Sequence, residues 1–253
     1  MSLFQRVEPD TKFGRVAICL SGLIRTGIEA FPSFKSFFQH LNADIFFHTW
    51  DTEKDKVQKI IDLYEPKSYL ITPPKIFQRF EIFGPMLYSI MMSNEQKKNY
   101  EIENNFRYDL VIKTRFDLVF YPGNRFPEHP IIPRTIFCPN GNAGVNPVDF
   151  EMHGINDIIF WGDSESMDIA TNTFFAYRYK WCRNQQMIIN GKQEDPKHTY
   201  LSPGNLIYNN FIKNNVAAHR FVPNINEIPW REDISHLDPI QDYDLIRKRY
   251  EQQ

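Results

Sequence analysis

The stretch YDLVIKTRFDLVF, Tyr108 to Phe120, reads as a buried strand interrupted by charge. Counted at a strand's period of two, Lys113, Arg115 and Asp117 fall on one face, with Leu110, Ile112, Phe116, Leu118 and Phe120 on the other. Successive charged side chains would then stand roughly 6.6 Å apart, the span over which a diphosphate or a bound cation touches more than one of them. An amphipathic strand with one solvated face would show the same alternation. The surrounding sequence has to decide between the two.

At 253 residues, 42% hydrophobic and 15% aromatic, the chain can bury a full core as one large domain or two small ones. A formal charge of −2 and a pI near 6.4 give no broad basic footprint, so nucleic acid is not an expected partner and any anionic ligand must be met locally. Cys19, Cys138 and Cys182 are odd in number and show no CxxC spacing, which suits reduced thiols. The opening MSLFQRVEPDTKF lacks the apolar core of a signal peptide, and no apolar run is long enough for a transmembrane segment. The expectation is a soluble, cytoplasmic protein.

The first half alternates. RVAICLSG (Arg15–Gly22) and ADIFFHTW (Ala43–Trp50) are short apolar strands. Asp51 and Thr52 precede an amphipathic helix marked by Val57, Ile60, Ile61 and Tyr64, and SYLITPP is a third strand stopped by prolines. TGIE at Thr26 looks like a capping box, but Pro32 predicts a break in the helix it starts. A longer helix over 86–104 leads into the opening strand. Strand and helix in alternation predict an α/β fold with a mostly parallel central sheet flanked by helices. The second half is richer in proline and asparagine. It carries a short strand near Thr135–Cys138, a core segment INDIIFWGD (Ile155–Asp163) followed by a helix, a helix opened by Ser202 and Pro203, and a last strand AHRFVP.

In parallel α/β sheets, ligands bind beyond the carboxyl ends of the strands. At the first such end, Ser21 and Gly22 allow close backbone approach, while Arg25 and Thr26 supply donors for phosphate oxygens. The loop is no Walker A, since Ile28 stands where lysine would follow the second glycine. At the second end, His48, Trp50 and Asp51 offer an imidazole, an aromatic face and a carboxylate to a base or sugar. His48 could equally be a core histidine, and Asp51 a helix cap. The third end is Arg115–Asp117. Zinc-site spacings and a G-x-S-x-G elbow are absent, which leaves nucleotide-type recognition beside carboxylates.

Together RVAICLSGLIRT, DIFFHTWD, YDLVIKTRFDL and NDIIFWGD resemble GT-A-fold glycosyltransferases, most closely bacterial and viral glycosyltransferase-like proteins in which R-x-D replaces D-x-D. The likeness covers most of 15–223. It implies a nucleotide-binding half at about 15–120, an acceptor half at about 121–223, an extension at 1–14 and a tail at 224–253. It also implies a nucleotide-sugar donor, a glycan or lipid-linked glycan acceptor, and a Mn²⁺ or Mg²⁺ ion held by the acidic motif. Asp117 matches the second carboxylate of that motif, as metal ligand and catalytic residue. Arg115 departs from the first, which weakens a metal site and adds a charge that can itself neutralise phosphate.

Ser21, Gly22, Arg25, Thr26, His48, Trp50, Asp51, Lys113 and Arg115 are thus the expected donor-binding set. Asp157 resembles the acidic residue that deprotonates the acceptor hydroxyl, with Glu151, His153 and Asp163 as rivals. Trp161 is either a sugar platform or core. The main alternative is a non-catalytic module that binds a nucleotide or carbohydrate on a degenerate form of the fold. A phosphoryl- or nucleotidyl-transferring enzyme is a third possibility, weakened by the missing P-loop and the single carboxylate.

Overall fold

The structure is a computed structural model and describes residues 13–75, 83–120, 123–139, 157–176 and 203–221. One seven-stranded sheet organises it, built from β1 (Val16–Ser21), β2 (Asp44–Trp50), β3 (Ser68–Thr72), β4 (Leu110–Thr114), β5 (Thr135–Pro139), β6 (Phe160–Gly162) and β7 (Ala217–Phe221). The strand order is β3-β2-β1-β4-β6-β5-β7. Strands β1 to β4 run parallel, β6 is antiparallel to both its neighbours, and β5 and β7 are parallel. This is the mostly parallel α/β sheet that the alternating pattern predicted.

Both faces of the central strands are buried, and the side-chain parity of β1 divides the core. Val16, Ile18 and Leu20 face a cluster with α1 (Gly27–Phe38) and α2 (Lys54–Tyr64), through Phe34, Phe37, Phe38, Ile60 and Tyr64. Ala17 and Cys19 face α3 (Gly84–Asn104), α4 (Ser164–Thr171) and α5 (Pro203–Lys213), through Leu87, Ile90, Met91, Met167 and Ile207. A sheet covered on both faces needs near-continuous apolar strands, which VAICL and IFF supply.

Three local expectations are corrected. The charged strand does not run to Phe120, because β4 ends at Thr114 and residues 115–117 form a turn. Its last partners are Leu20 on β1 and, through Lys113, Phe160 on β6. Pro32 does not break α1, which continues to Phe38. A proline inside a helix costs about 3 kcal/mol, and the burial of Phe34, Phe37 and Phe38, worth about 1.5–3 kcal/mol each, outweighs it. The capping box at Thr26 does not form either, since its side chain makes no cap hydrogen bond.

A buried ionic network that the sequence reading missed ties the two halves together. Lys97 on α3 is fully buried, and its Nζ donates to Glu101 at 3.0 Å, Asp168 at 2.8 Å and the Ser164 hydroxyl at 2.7 Å. Burial alone would raise the Asp168 carboxyl pKa, but Lys97, Asn94 and Arg107 together hold it below the usual carboxylate value. Its stabilising share is therefore present above the ordinary carboxylate range and lost as pH falls through the lowered value. Lys97→Ala would remove the buried cation that Glu101 and Asp168 share and leave them only the half-exposed Arg107, at a cost of roughly 3–5 kcal/mol. The melting midpoint should fall by roughly 10 °C. An unchanged midpoint in a thermal melt would show that the network does not hold α3 to α4.

Candidate functional site

The loop after β1 and the turn after β4 meet at the carboxyl edge of the parallel strands. Register puts them side by side, since Leu20 is level with Thr114 in the β1–β4 pairing. Gly27 closes the gap from above: a Cβ there would lie 2.8 Å from the Cβ of Phe116, so only glycine lets the start of α1 settle on this turn.

Asp117 sits at the centre with 1% exposure. Arg25 Nη1 donates to its Oδ2 at 2.9 Å, while Arg115 donates to Oδ1 through Nε at 2.7 Å and to Oδ2 through Nη2 at 2.5 Å. Arg25 is 41% exposed and Arg115 25%, so the two guanidinium groups roof the carboxylate and present charge to solvent. Both guanidinium groups thus reach one carboxylate on a chain that is slightly acidic overall.

Arg25 is held there by its own backbone. It adopts a left-handed conformation, φ 48°, which costs a non-glycine residue about 1–2 kcal/mol. Glu53 accepts from the Arg25 N–H with both carboxylate oxygens at 3.0 Å, and Lys56 Nζ donates to the Arg25 carbonyl at 2.7 Å. Burial would push the Glu53 carboxyl up, but donation from Lys56 and from the Arg25 and Ile24 N–H groups holds it below the usual range. On the other side of the loop, the Gly22 N–H donates to the Ser89 hydroxyl of α3 at 2.7 Å. Glu53, Lys56 and Ser89 were not singled out in the sequence. The i, i+3 spacing of Glu53 and Lys56 reads as an ordinary solvated helix start, and Ser89 lies far along the chain from the loop it supports.

Three buried threonine hydroxyls at this edge, those of Thr26, Thr49 and Thr114, have no hydrogen-bond partner among the described residues. Thr26 follows Arg25, Thr114 precedes Arg115, and Thr49 is near the end of β2. Buried hydroxyls without partners are uncommon, because each forfeits about 1–3 kcal/mol. Thr49 and Thr114 are fully buried at the carboxyl ends of their strands.

The remaining sequence candidates are placed differently. Ser21 is buried at the end of β1. His48 is fully buried between the hydroxyls of Ser89, 2.8 Å from Nδ1, and Thr72, 3.0 Å from Nε2. Burial, with a smaller contribution from Lys75, lowers its pKa to about 4, so it is neutral at physiological pH and offers no charge to a phosphate. Trp50 is 6% exposed and stacks on Tyr88, on the α3 side of the sheet. Asp51 lies in a short 3₁₀ turn and pairs with Lys54 at 3.4 Å. Lys113 is buried on β4 and turned away from the arginines, with its Nζ donating to the backbone carbonyls of Asp157 and Ile158.

Asp157 is half-buried and precedes β6; the Lys113 contact to its carbonyl places it at the same end of the sheet as Arg115. Asp163 is at the other end, where it caps α4 by accepting from the Ser166 N–H at 3.0 Å. Trp161 is core, 1% exposed, with its indole N–H donating to His129 at 2.6 Å. Glu151 and His153 lie outside the described residues.

The donor set does not fit a divalent metal. Mn²⁺ or Mg²⁺ needs several oxygen ligands. Both oxygens of Asp117 are taken by guanidinium groups, Glu53 is taken by Arg25 and Lys56, and no group of three or more His, Cys, Asp or Glu side chains is gathered among the described residues.

No family model and no curated protein sequence matches the chain. Solved structures that align with it include a glycosyltransferase involved in the glycosylation of the major capsid of PBCV-1, at 12% identity and a TM-score of 0.38, over 83% of this chain and 82% of that one. The apo form of the glycosyltransferase GlyE from Streptococcus pneumoniae TIGR4 aligns at 16% identity and a TM-score of 0.39, over 94% of this chain and 50% of that one. The chain thus spans about half the length of GlyE. Likenesses this distant assign no chemistry, which has to be argued from the site. No helix among the described residues is long and apolar enough to cross a membrane.

Glu53→Ala would release the left-handed Arg25 without touching its side chain. We expect the melting midpoint to fall by a few degrees, for a loss of about 1–3 kcal/mol, and Arg25 to lose its fixed approach to Asp117. A midpoint identical to the parent protein's would show that the loop holds itself.

Proposed function

We propose that the chain is a GT-A-like glycosyltransferase that binds a nucleotide-sugar donor at the carboxyl edge of the parallel strands and moves the sugar to a hydroxyl of a glycan or lipid-linked glycan. The observation that carries this reading is the convergence of Arg25 and Arg115, from two separate strand ends, on one solvent-facing position. Planar guanidinium groups match phosphate oxygens in pairs. The loop Ser21–Thr26 stands beside them, and among the described residues its Thr26 hydroxyl has no hydrogen-bond partner.

In this reading Asp157 is the base. The acceptor oxygen forms its bond to the anomeric carbon as the bond from that carbon to the diphosphate oxygen breaks. The hydroxyl proton passes to the Asp157 carboxylate. The electron pair of the broken bond leaves on the nucleoside diphosphate, and Arg25 and Arg115 meet the added negative charge. The half of the chain from 121 to 223 carries Asp157 and is assigned to the acceptor.

A panel of nucleotide sugars in a thermal melt tests the donor, because a ligand that binds the folded state must raise its midpoint. Arg25→Ala should weaken binding of the responding donor about 10- to 100-fold, the loss of one charge-assisted hydrogen bond worth roughly 1.5–3 kcal/mol. Asp157→Asn should leave binding intact and slow sugar transfer by about 10²–10⁴. A panel without any response refutes the donor reading. A donor that binds but is neither transferred nor hydrolysed identifies a non-catalytic binding module instead.

A further inference from the structure

The carboxylate that a metal would need is already held by two cations, and this arrangement has a consequence for how the diphosphate is neutralised. Asp117 is buried, and each of its oxygens accepts at least one guanidinium N–H. A metal bound at Asp117 would have to displace Arg25 and Arg115, and would then sit beside two like charges. The neighbouring carboxylates give it no help, since Glu53 is engaged by Lys56 and the Arg25 N–H and Asp51 by Lys54.

We propose that Arg25 and Arg115 take the place of a divalent cation toward a nucleoside diphosphate, with Asp117 as the positioning residue that holds both guanidinium groups at the mouth of the site. The inference rests on the donor site proposed above and specifies its chemistry: the bound anion is neutralised by fixed organic cations, and binding needs no metal. Three observations support it together. Among the described residues Asp117 is the one partner of the Arg25 side chain, so the other guanidinium donors of Arg25 are available to an anion. The left-handed backbone of Arg25 is clamped at both its N–H and its carbonyl, which fixes where that charge stands. Arg115 grips Asp117 through two N–H groups, a fork geometry that sets the plane of its guanidinium. A carboxylate used this way keeps two like charges together in the absence of ligand, a role that a metal-binding carboxylate cannot fill at the same time.

The experiment is calorimetric titration of the full chain with UDP, GDP, ADP, CDP and TDP, and with inorganic pyrophosphate, first with EDTA and then with Mn²⁺ or Mg²⁺ in excess. The expected result is that at least one nucleoside diphosphate binds in EDTA and that its affinity changes by less than about threefold on adding metal. Arg115→Ala should weaken that binding by at least about tenfold under both conditions. Asp117→Asn should weaken it by a similar factor with and without metal, because the arginines lose their common anchor. Asp117→Glu, which keeps the charge, should recover part of the loss. Binding that appears only with metal, and that Asp117→Asn abolishes only in the presence of metal, overturns the inference while leaving the donor site standing. Binding by no nucleoside diphosphate under either condition overturns the donor site itself and the inference with it. Should Asp117→Asn not fold, the metal comparison on the unaltered protein and on Arg115→Ala decides alone.

Discussion

A carboxylate with almost no exposure has to be met by donors, and at Asp117 that requirement links the two loops that matter. Its partners come from the loop after β1 and from its own turn after β4, so a change of shape in either loop takes a donor from a buried charge. Removing one partner of such a group costs several kcal/mol, more than most single contacts in a domain. The parallel pairing of β1 with β4 brings these loops level, and the missing side chain at Gly27 lets α1 close over them. Sheet register, helix approach and ion pairing all depend on one another here.

The loop from Ser21 to Thr26 is held from both faces of the sheet. Ser89 on α3 takes the Gly22 N–H from one side, while Glu53 and Lys56 at the start of α2 take the Arg25 backbone from the other. His48 supports this indirectly, because its neutral ring lies against Ser89 and keeps the hydroxyl in place. A loop fixed before ligand arrives loses less entropy on binding than one that must be ordered. The strained φ of Arg25 is therefore consistent with function: the fold spends stability to hold a charge where water and anions reach it.

Much of the fold could be read from the sequence because its signals are local. Both-face burial makes β1 and β2 continuous apolar runs, and the 3.6-residue spacing of Val57, Ile60, Ile61 and Tyr64 marks α2 whatever lies beside it. The carboxyl-end rule then pointed to the two loops that meet at Asp117. What could not be read depends on partners distant in the chain. Lys113 shares the alternation of Arg115, yet the strand ends between them, at the last pairing of β4 with β1. Lys113 consequently turns to the carbonyls before β6, a contact 44 residues away. His48 and Trp50 sit at a strand end as expected, but strand parity sends both rings into the α3 side, where Tyr88 and Ser89 receive them. Pro32 broke a local rule that three buried phenylalanines could override, and no pattern within α1 reveals how deeply they are buried.

The opposite end of the sheet offers a contrast to the proposed anion site. A cleft of about 1180 Å³ opens there, beside Phe13, Tyr108, Asp109, His129 and Asp163, and it is far roomier than anything the arginine pair requires. Among the described residues four carboxylates line it, with the guanidinium of Arg107 beside them and Glu165 paired to Arg134. Those carboxylates also have structural duties: Asp109 accepts from the Arg15 N–H, and Asp163 caps α4 while accepting from the Arg134 N–H. Cleft volume alone would favour that end, whereas electrostatics favours the other. For a ligand carrying two phosphates, charge decides, because an acidic lining repels it at every distance within a Debye length. On the donor-site reading proposed above, the end of the sheet that gathers Arg25 and Arg115 over a buried aspartate is the better match for such a ligand.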